Sequence, residues 1–320
     1  MDPLISPLAL AVERQLGYPQ KLVETIGHPV MWFGKLISFC EERLNTASRT
    51  PTQCKLAGMV ALGLLVLSVL IVTVGIRTIL SWIPLGWIVE MLLATAFLAQ
   101  KELGRAVEAV SEALRTSLAA GRESVSHVVG RDPQALDEAG VARAAVETLA
   151  ESTSDGVVAP WLFLILFGLP GIAVYKAVNT ADSMIGHRDE RYRDYGWAAA
   201  KLDDVLNWIP ARLSAVLITA ACFFTPGASP GGAWATARRD ASKHDSPNAG
   251  WPEATFAGAL NFQLGGPRAY DGKVVDLPAF GSGKTGLGPS DILLALLLYR
   301  RTLDVLLGVS CLLALMVLLS

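Results

Sequence analysis

Between Glu151 and Arg212 the chain reads ESTSDGVVAPW, then a short apolar segment, then NTADSMIGHRDERYRDYGWAAAKLDDVLNWIPAR. Acids, amides, hydroxyls and arginines crowd both edges of a segment apolar enough to enter a bilayer. Polar groups at membrane depth are costly, so they mark function by default. Arg143, Glu147 and Glu151 recur every four residues and share a helix face. One reading is surface ion pairing, worth about 0.2–0.5 kcal/mol per pair. The other is a binding face, favoured by Ser152, Thr153, Ser154 and Asp155 immediately after it. Asp155–Gly156 is expected to end that helix and to present hydroxyls and backbone N–H groups to an anion.

Past the apolar segment come Asn179, Asp182 and Arg188, then Asp203, Asp204 and Asn207, with Arg212 eight residues beyond Asp204. Helical spacing puts Asp204, Asn207 and Arg212 on one side. Carboxylates and amides beside an arginine suit Mg²⁺ and phosphate: the metal takes one or two carboxylates plus substrate phosphate, and the guanidinium clamps phosphate with paired donors. An interfacial charge network that merely orients the helix uses the same residues. A third dense run, RRDASKHDSPNAGWPE (238–253), holds Arg239, His244, Ser246, Asn248 and Glu253. Its plain reading is a polar loop turning at Ser246–Pro247–Asn248; its chemical reading makes His244 a general base near neutral pH. GSGKTG (281–286) is not a phosphate-binding P-loop, because the required leading glycine is Pro278 and no apolar strand runs into it.

Membrane elements must position these groups. The 320 residues are 52% hydrophobic, with net charge −2. Leu56–Ile76 carries no charge over a length that spans about 30 Å of hydrocarbon. Ser81–Ala99 is a second expected span, containing Glu90, which must face protein. Residues 302–319 form a third. Two middle segments are weaker: 157–175 is interrupted by GLPG, and 208–225 carries Pro210 and Arg212 near its start. Arg43, Arg49 and Lys55 before the first span place that side in the cytoplasm, as do Lys101, Arg105, Arg300 and Arg301 near later span ends. The loop 176–207 is also basic, so either both middle segments cross with that loop outside, against its basic residues, or, the preferred reading, neither crosses fully and both are broken or re-entrant elements covered by protein. Residues 102–150 read as amphipathic and aqueous, with GRDP (130–133) as a break and a second helix over 134–151. Residues 226–290 read as loops with one helix near 252–260. The expected class is therefore an all-α, multi-pass integral membrane protein with a cytoplasmic-facing polar site, forming a single domain over 1–320. Net charge near zero and no long basic run exclude nucleic acid as a partner. Cys40, Cys54, Cys222 and Cys311 are too scattered for a metal cluster or a disulfide framework. The N-terminus has neither a basic region nor a small-residue cleavage site, so no signal peptide is expected.

Taken together, HPVMWFGKLI (28–37), VETLAESTSDGVVAP (146–160), AVNTADSMIGHRDERYRDYGWAAAKLDDVLNWIPARL (177–213), RRDASKHDSPNAGWPEATFAGAL (238–260), NFQLGG, a tyrosine-glycine region at 270–272 and GSGKTGLGPSDI resemble the adenosylcobinamide-phosphate synthases of cobalamin (vitamin B12) biosynthesis, the CobD/CbiB group. The resemblance covers nearly the whole chain in collinear order. It implies a multi-pass enzyme of the inner (cytoplasmic) membrane, an acid–amine ligase that joins adenosylcobyric acid to aminopropanol phosphate with ATP and Mg²⁺. The corrinoid and the amino-alcohol phosphate are then its substrates and the lipid bilayer its surroundings. Assembly as a homo-oligomer or with other corrinoid-pathway enzymes stays open.

Carboxylates do not acylate amines unaided, and ATP converts the corrinoid propionate to an acyl phosphate that the amine attacks. Such a site needs acids for the metal, cations for phosphates and a base for the ammonium proton. On that basis Asp155, Asp182, Asp203 and Asp204 are metal candidates, and Glu151, Asp155 and His244 catalytic candidates. Ser152, Ser154, Asn179, Arg188, Asn207, Arg212, Arg239, Ser246, Asn248 and Glu253 are candidates for substrate and phosphate binding. One departure stands out: ERQLGYP (13–19) has Tyr18 where the family carries aspartate. Two other classes compete. A non-catalytic sensor or scaffold like the ampicillin-resistance regulator AmpE would lack the Asp and Arg set present here. A transporter would show inverted internal repeats, which the sequence lacks.

Overall fold

A computed structural model describes residues 2–46, 48–129, 134–266, 268–270, 273–275 and 278–320. The GRDP break and part of the tyrosine-glycine region lie outside the described residues. In chain order the helices are α1 (Ile5–Leu16), α2 (Gln20–Ile26), α3 (Pro29–Leu44), α4 (Pro51–Ser81), α5 (Gly86–Thr95), α6 (Gln100–Thr116), α7 (Leu118–Ser126) and α8 (Glu138–Thr153). A π-helical turn, Ser154–Val158, leads into α9 (Ala159–Ile185). Then come α10 (Trp197–Leu206), α11 (Trp208–Ala221), α12 (Pro230–Asp240), α13 (Gly250–Leu260) and α14 (Pro289–Leu319). Two small antiparallel pairs complete the described residues: β1 (Leu264–Gly265) with β4 (Ala279–Phe280), and β2 (Arg268–Tyr270) with β3 (Lys273–Val275).

Local chemistry sets the helix starts. Thr50 and Gln53 form a reciprocal capping box before α4, with Pro51 in its first turn. His28 caps α3 ahead of Pro29, Asp137 caps α8, and Ser229 caps α12 ahead of Pro230. Three helical stretches among the described residues are long and apolar enough to cross a membrane: Pro51–Ser81, Glu138–Ile185 and Pro289–Leu319. The expected spans 56–76 and 302–319 lie inside the first and last. The expected span 81–99 does not form. Leu85, in the left-handed region, delays the start of α5 to Gly86, and a turn from Ala96 ends it. Ten residues rise about 15 Å, half of what a crossing needs. Segment 208–225 gives α11, fourteen residues, and a 3-10 turn at Cys222–Phe224. The loop expected over 226–290 contains two helices, α12 as well as α13. Gly231 and Gly232 hid the first, which Ser229 and Pro230 nevertheless start.

The chain packs as two compact units built from separated stretches. The first comprises Met1–Ala99, Ala159–Asn207 and Ser310–Ser320. Here α9 packs on α3, α4, α5 and α10. The α4 face towards these helices is small-sided, with Ala57, Gly58 and Ala61 buried, while Leu56, Leu67, Ile71 and Val72 stay exposed, as a lipid-facing surface requires. A Cβ on Gly58 would collide with the Tyr195 carbonyl oxygen, so glycine there is what lets the backbones approach.

Within α9 the helix breaks at Gly168 (φ 70°, ψ −156°), just before Pro170, where GLPG leads one to expect a break. Glu90, 6% exposed, faces protein as its charge demands. Its Oε1 accepts the Leu169 N–H (3.4 Å) and lies 3.5 Å from Arg77 Nε. One carboxylate thereby serves a backbone donor freed by the break. Gly168→Ala should cost about 1–2 kcal/mol, because that φ/ψ region is essentially restricted to glycine. Thermal unfolding in detergent measures it; a melting point equal to wild type is the contrary result.

The second unit comprises Gln100–Val158 and Trp208–Val309. Its core is α13, packed on α8, α11 and α12. Gly232 and Gly258 meet here, and a Cβ on either would strike the other's carbonyl oxygen.

Candidate functional site

In the first unit a polar network joins α9 to α10. Asp203 is buried, and it receives a hydrogen bond from an asparagine on each side: Asn207 Nδ2 to Oδ2 at 2.9 Å and Asn179 Nδ2 to Oδ1 at 3.4 Å. The other end of each amide is also held. Tyr175, fully buried on α9, donates its hydroxyl to Asn207 Oδ1 (2.8 Å), and Lys176 Nζ donates to Asn179 Oδ1 (3.1 Å). Asp182, one α9 turn past Asn179, faces Asp203 closely enough to oppose its charge. Burial first, then repulsion from Asp182, pushes the Asp203 carboxyl up to about 7, against the two amides that favour the anion. Asp204, half-buried on α10, pairs with Lys201 (3.2 Å). Arg188 is exposed in the turns after α9.

His28, the first residue of HPVMWFGKLI, lies beside this network. Burial, and after it the positive charge of Lys176, hold its imidazole below the ordinary value, so it is neutral at pH 7. Val30 N–H donates to its Nδ1 (3.2 Å). Tyr18, the departure from the family pattern, packs edge-on against the His28 ring (4.5 Å between centroids) and donates to the Gly27 carbonyl (3.3 Å). An aromatic therefore supports His28 at the position where an acid was expected. Tyr175, Lys176 and His28 escaped the sequence reading because their role is to hold other side chains, which no local spacing reveals.

In the second unit, Arg212 lies between the rings of Trp208 (4.2 Å) and Trp251 (5.0 Å). It donates to Asn248 Oδ1 (3.2 Å) and to the Pro247 and Trp208 carbonyls. The helix expected to carry Asp204 and Arg212 together is interrupted at Asn207, and Pro210 sits in the first turn of α11, so the two residues belong to separate helices. His244 Nδ1 accepts the Ser246 N–H (2.9 Å), which leaves Nε2 towards the buried Glu253 carboxylate (3.6 Å). With Nδ1 accepting, a neutral ring carries its proton on Nε2, the side that faces this carboxylate. Ser246 Oγ accepts from Asn248 N and Ala249 N, so it shapes the turn into α13.

Arg239 is bound to Asp240, with Nη2 at 2.6 Å and Nε at 2.8 Å. Asp240 itself is fully buried, takes Lys243 Nζ at 2.6 Å, and accepts Gly281 N–H at 2.8 Å. It anchors the start of GSGKTG. In that loop Lys284 pairs with Asp291 (2.7 Å) at the start of α14, so this lysine neutralises a helix-start aspartate.

Also in the second unit, Arg143 reaches the Gly265 and Thr285 carbonyls, and buried Glu147 accepts Gly265 N–H (2.7 Å). Arg143 and Glu147 thus hold Gly265 and Thr285. Asp155–Gly156 does not end the helix: the backbone widens into the π turn and continues into α9, which keeps the N–H groups within the helix. Such turns recur at functional sites. Glu151 is exposed, Ser152 and Asp155 are half-buried, and the buried Ser154 hydroxyl has no hydrogen-bond partner among the described residues.

Nowhere among the described residues do three His, Cys, Asp or Glu side chains converge as a metal-binding group. Two neighbouring carboxylates, Asp182 and Asp203, remain a fit for a cation that takes one or two carboxylates and completes its shell with water and phosphate. Their mutual repulsion is what a divalent ion relieves.

A mostly helical chain with three bilayer-length apolar stretches defines an α-helical integral membrane protein. Residues 6–299 match the family model described as CobD/Cbib protein, and the chain belongs to that family. It is 44% identical over 309 residues to the cobalamin biosynthesis protein CobD of Brucella anthropi, covering 95% of this chain and 94% of the relative. It is 46% identical over 278 residues to the protein of the same name from Rhizobium meliloti, covering 86% and 85%. No solved structure matches it.

Proposed function

We propose that this chain acts in cobalamin biosynthesis as a membrane ligase. It forms an amide between the corrinoid acid adenosylcobyric acid and aminopropanol phosphate, with ATP consumed, at the cytoplasmic membrane and with its polar clusters facing the cytoplasm. The single observation that carries this reading is the family match over residues 6–299. The side chains supply the chemistry it calls for. Asp203 and Asp182 are the pair suited to hold Mg²⁺, which would neutralise phosphate charge during transfer. Asn179 and Asn207 keep Asp203 turned as an acceptor. Arg212, near the rings of Trp208 and Trp251 and oriented by Asn248, presents a planar cation to a phosphate. Both ring nitrogens of His244 are engaged, Nδ1 by the Ser246 N–H and Nε2 towards Glu253, so the exposed Glu151 is the group that accepts the proton of the attacking ammonium. Basic residues flanking the apolar stretches, and ATP itself, support the cytoplasmic orientation.

The test is an assay on membranes carrying the protein, supplied with adenosylcobyric acid, aminopropanol phosphate, ATP and Mg²⁺. Adenosylcobinamide phosphate should form, and a cobalamin auxotroph blocked at this step should regain growth. Absence of product from folded protein, with no complementation, sinks the ligase reading and leaves a non-catalytic membrane role.

A further inference from the structure

We infer that Tyr175 and Lys176 are positioning residues that act through Asn207 and Asn179 to keep both asparagine amides donating to Asp203. The inference deepens the proposed function and rests on Asp203 belonging to the reacting site. An asparagine side chain has an acceptor end and a donor end, and rotating it by half a turn exchanges them. A carboxylate accepts hydrogen bonds, so an asparagine that turned its carbonyl oxygen to Asp203 would oppose it. Something must hold each oxygen away.

For Asn179 the holder is a lysine ammonium, which has donors and no acceptor. Lys176 Nζ at 3.1 Å from Oδ1 therefore fixes the amide with its NH₂ towards Asp203. For Asn207 it is the Tyr175 hydroxyl, donating to Oδ1 at 2.8 Å from a ring stacked on Phe163 (5.0 Å) and buried on α9. Tyr175 and Lys176 are consecutive on α9, yet they reach two asparagines 28 residues apart in sequence, one on each side of the same carboxylate. Both oxygens of Asp203 are thereby met by N–H groups of set direction, which fixes the carboxylate plane and leaves its remaining lone pairs for a ligand.

The test uses full-length protein in detergent with ¹⁵N label in asparagine side chains. Tyr175→Phe should move the Asn207 NH₂ signals and leave those of Asn179 in place. Lys176→Met should do the reverse. Each variant should lower kcat about tenfold with little change in KM, the size expected for one hydrogen bond. In an Asp203→Asn background the same changes should produce no further loss, because the acceptor they serve is gone. Unmoved asparagine signals in both variants overturn the inference, as does an equal loss of activity with and without Asp203. Unfolding temperatures of the variants separate a general loss of fold from either outcome. If the protein forms no amide at all, the proposed reaction fails while the asparagine signals still decide whether Tyr175 and Lys176 hold these amides.

Discussion

Asp203→Asn should reduce amide formation by about a thousandfold, the scale at which removal of a reacting-site group acts. Its neighbours give the reason. Asn179 and Asn207 each turn an NH₂ group to this position, so an asparagine there meets a donor with its own NH₂. It also removes one of the two adjacent carboxylates suited to a divalent ion. The fold should survive. Asp203 titrates near 7, above the unfolded value, because burial and Asp182 oppose its charge. Between about pH 4 and 7 the folded protein holds a proton that the unfolded chain releases, so stability falls as pH rises through that window. Asparagine abolishes that slope. Metal-free Asp203→Asn protein should therefore be no less stable than wild type at pH 8, while losing activity. A single-turnover assay and paired melts at pH 5 and pH 8 measure the two effects. Wild-type amide formation would remove Asp203 from the reacting site.

Asp240→Ala should be the most destabilising of the substitutions considered, by about 3 kcal/mol. Asp240 is fully buried and meets Arg239, Lys243 and the Gly281 N–H. Removing it leaves that backbone donor without its acceptor and loosens the start of the GSGKTG loop. Arg239 is 55% exposed, so solvent screens part of the Coulomb attraction and the lower end of the range applies. Arg239, then Lys243 and the Gly281 N–H, outweigh burial and hold the Asp240 carboxyl well below the usual carboxylate range. Its contribution is then complete above the unfolded value near 4 and is lost as pH falls below it. The gap between wild type and variant should be widest at pH 7 and narrow as pH falls below about 4. Chemical unfolding in detergent at neutral pH and near pH 3 checks this; an equal difference at both would assign the loss to packing alone.

The two substitutions divide differently between sequence and structure. Asp203 was legible: two acids and an amide within five residues, in a polar run beside an apolar segment, are chemically conspicuous. Asp240 was not singled out, because an acid among basic residues at the end of a short helix reads as solvated surface. Only the arrival of Gly281, 41 residues later, makes it an anchor. Arg239 shows the converse. As an isolated arginine it suits phosphate, and in the fold its guanidinium is engaged by its own neighbour.

Composition and order alone determined that the chain is helical, that it enters a membrane, and which family it resembles, since long charge-free runs and collinear motifs are local properties of the chain. Helix ends were less legible: Ser229 and Pro230 start α12 inside a stretch that reads as loop, and the left-handed Leu85 that shortens α5 carries no sequence signature. The tertiary structure decided how donors and acceptors pair. It continued the helix through Ser154–Val158 where Asp155–Gly156 suggested an end. It also gave Tyr175 and Lys176 their partners. Hydrogen bonds between side chains distant in sequence depend on where packed helices bring them, and the spacing of residue types along one chain does not encode that.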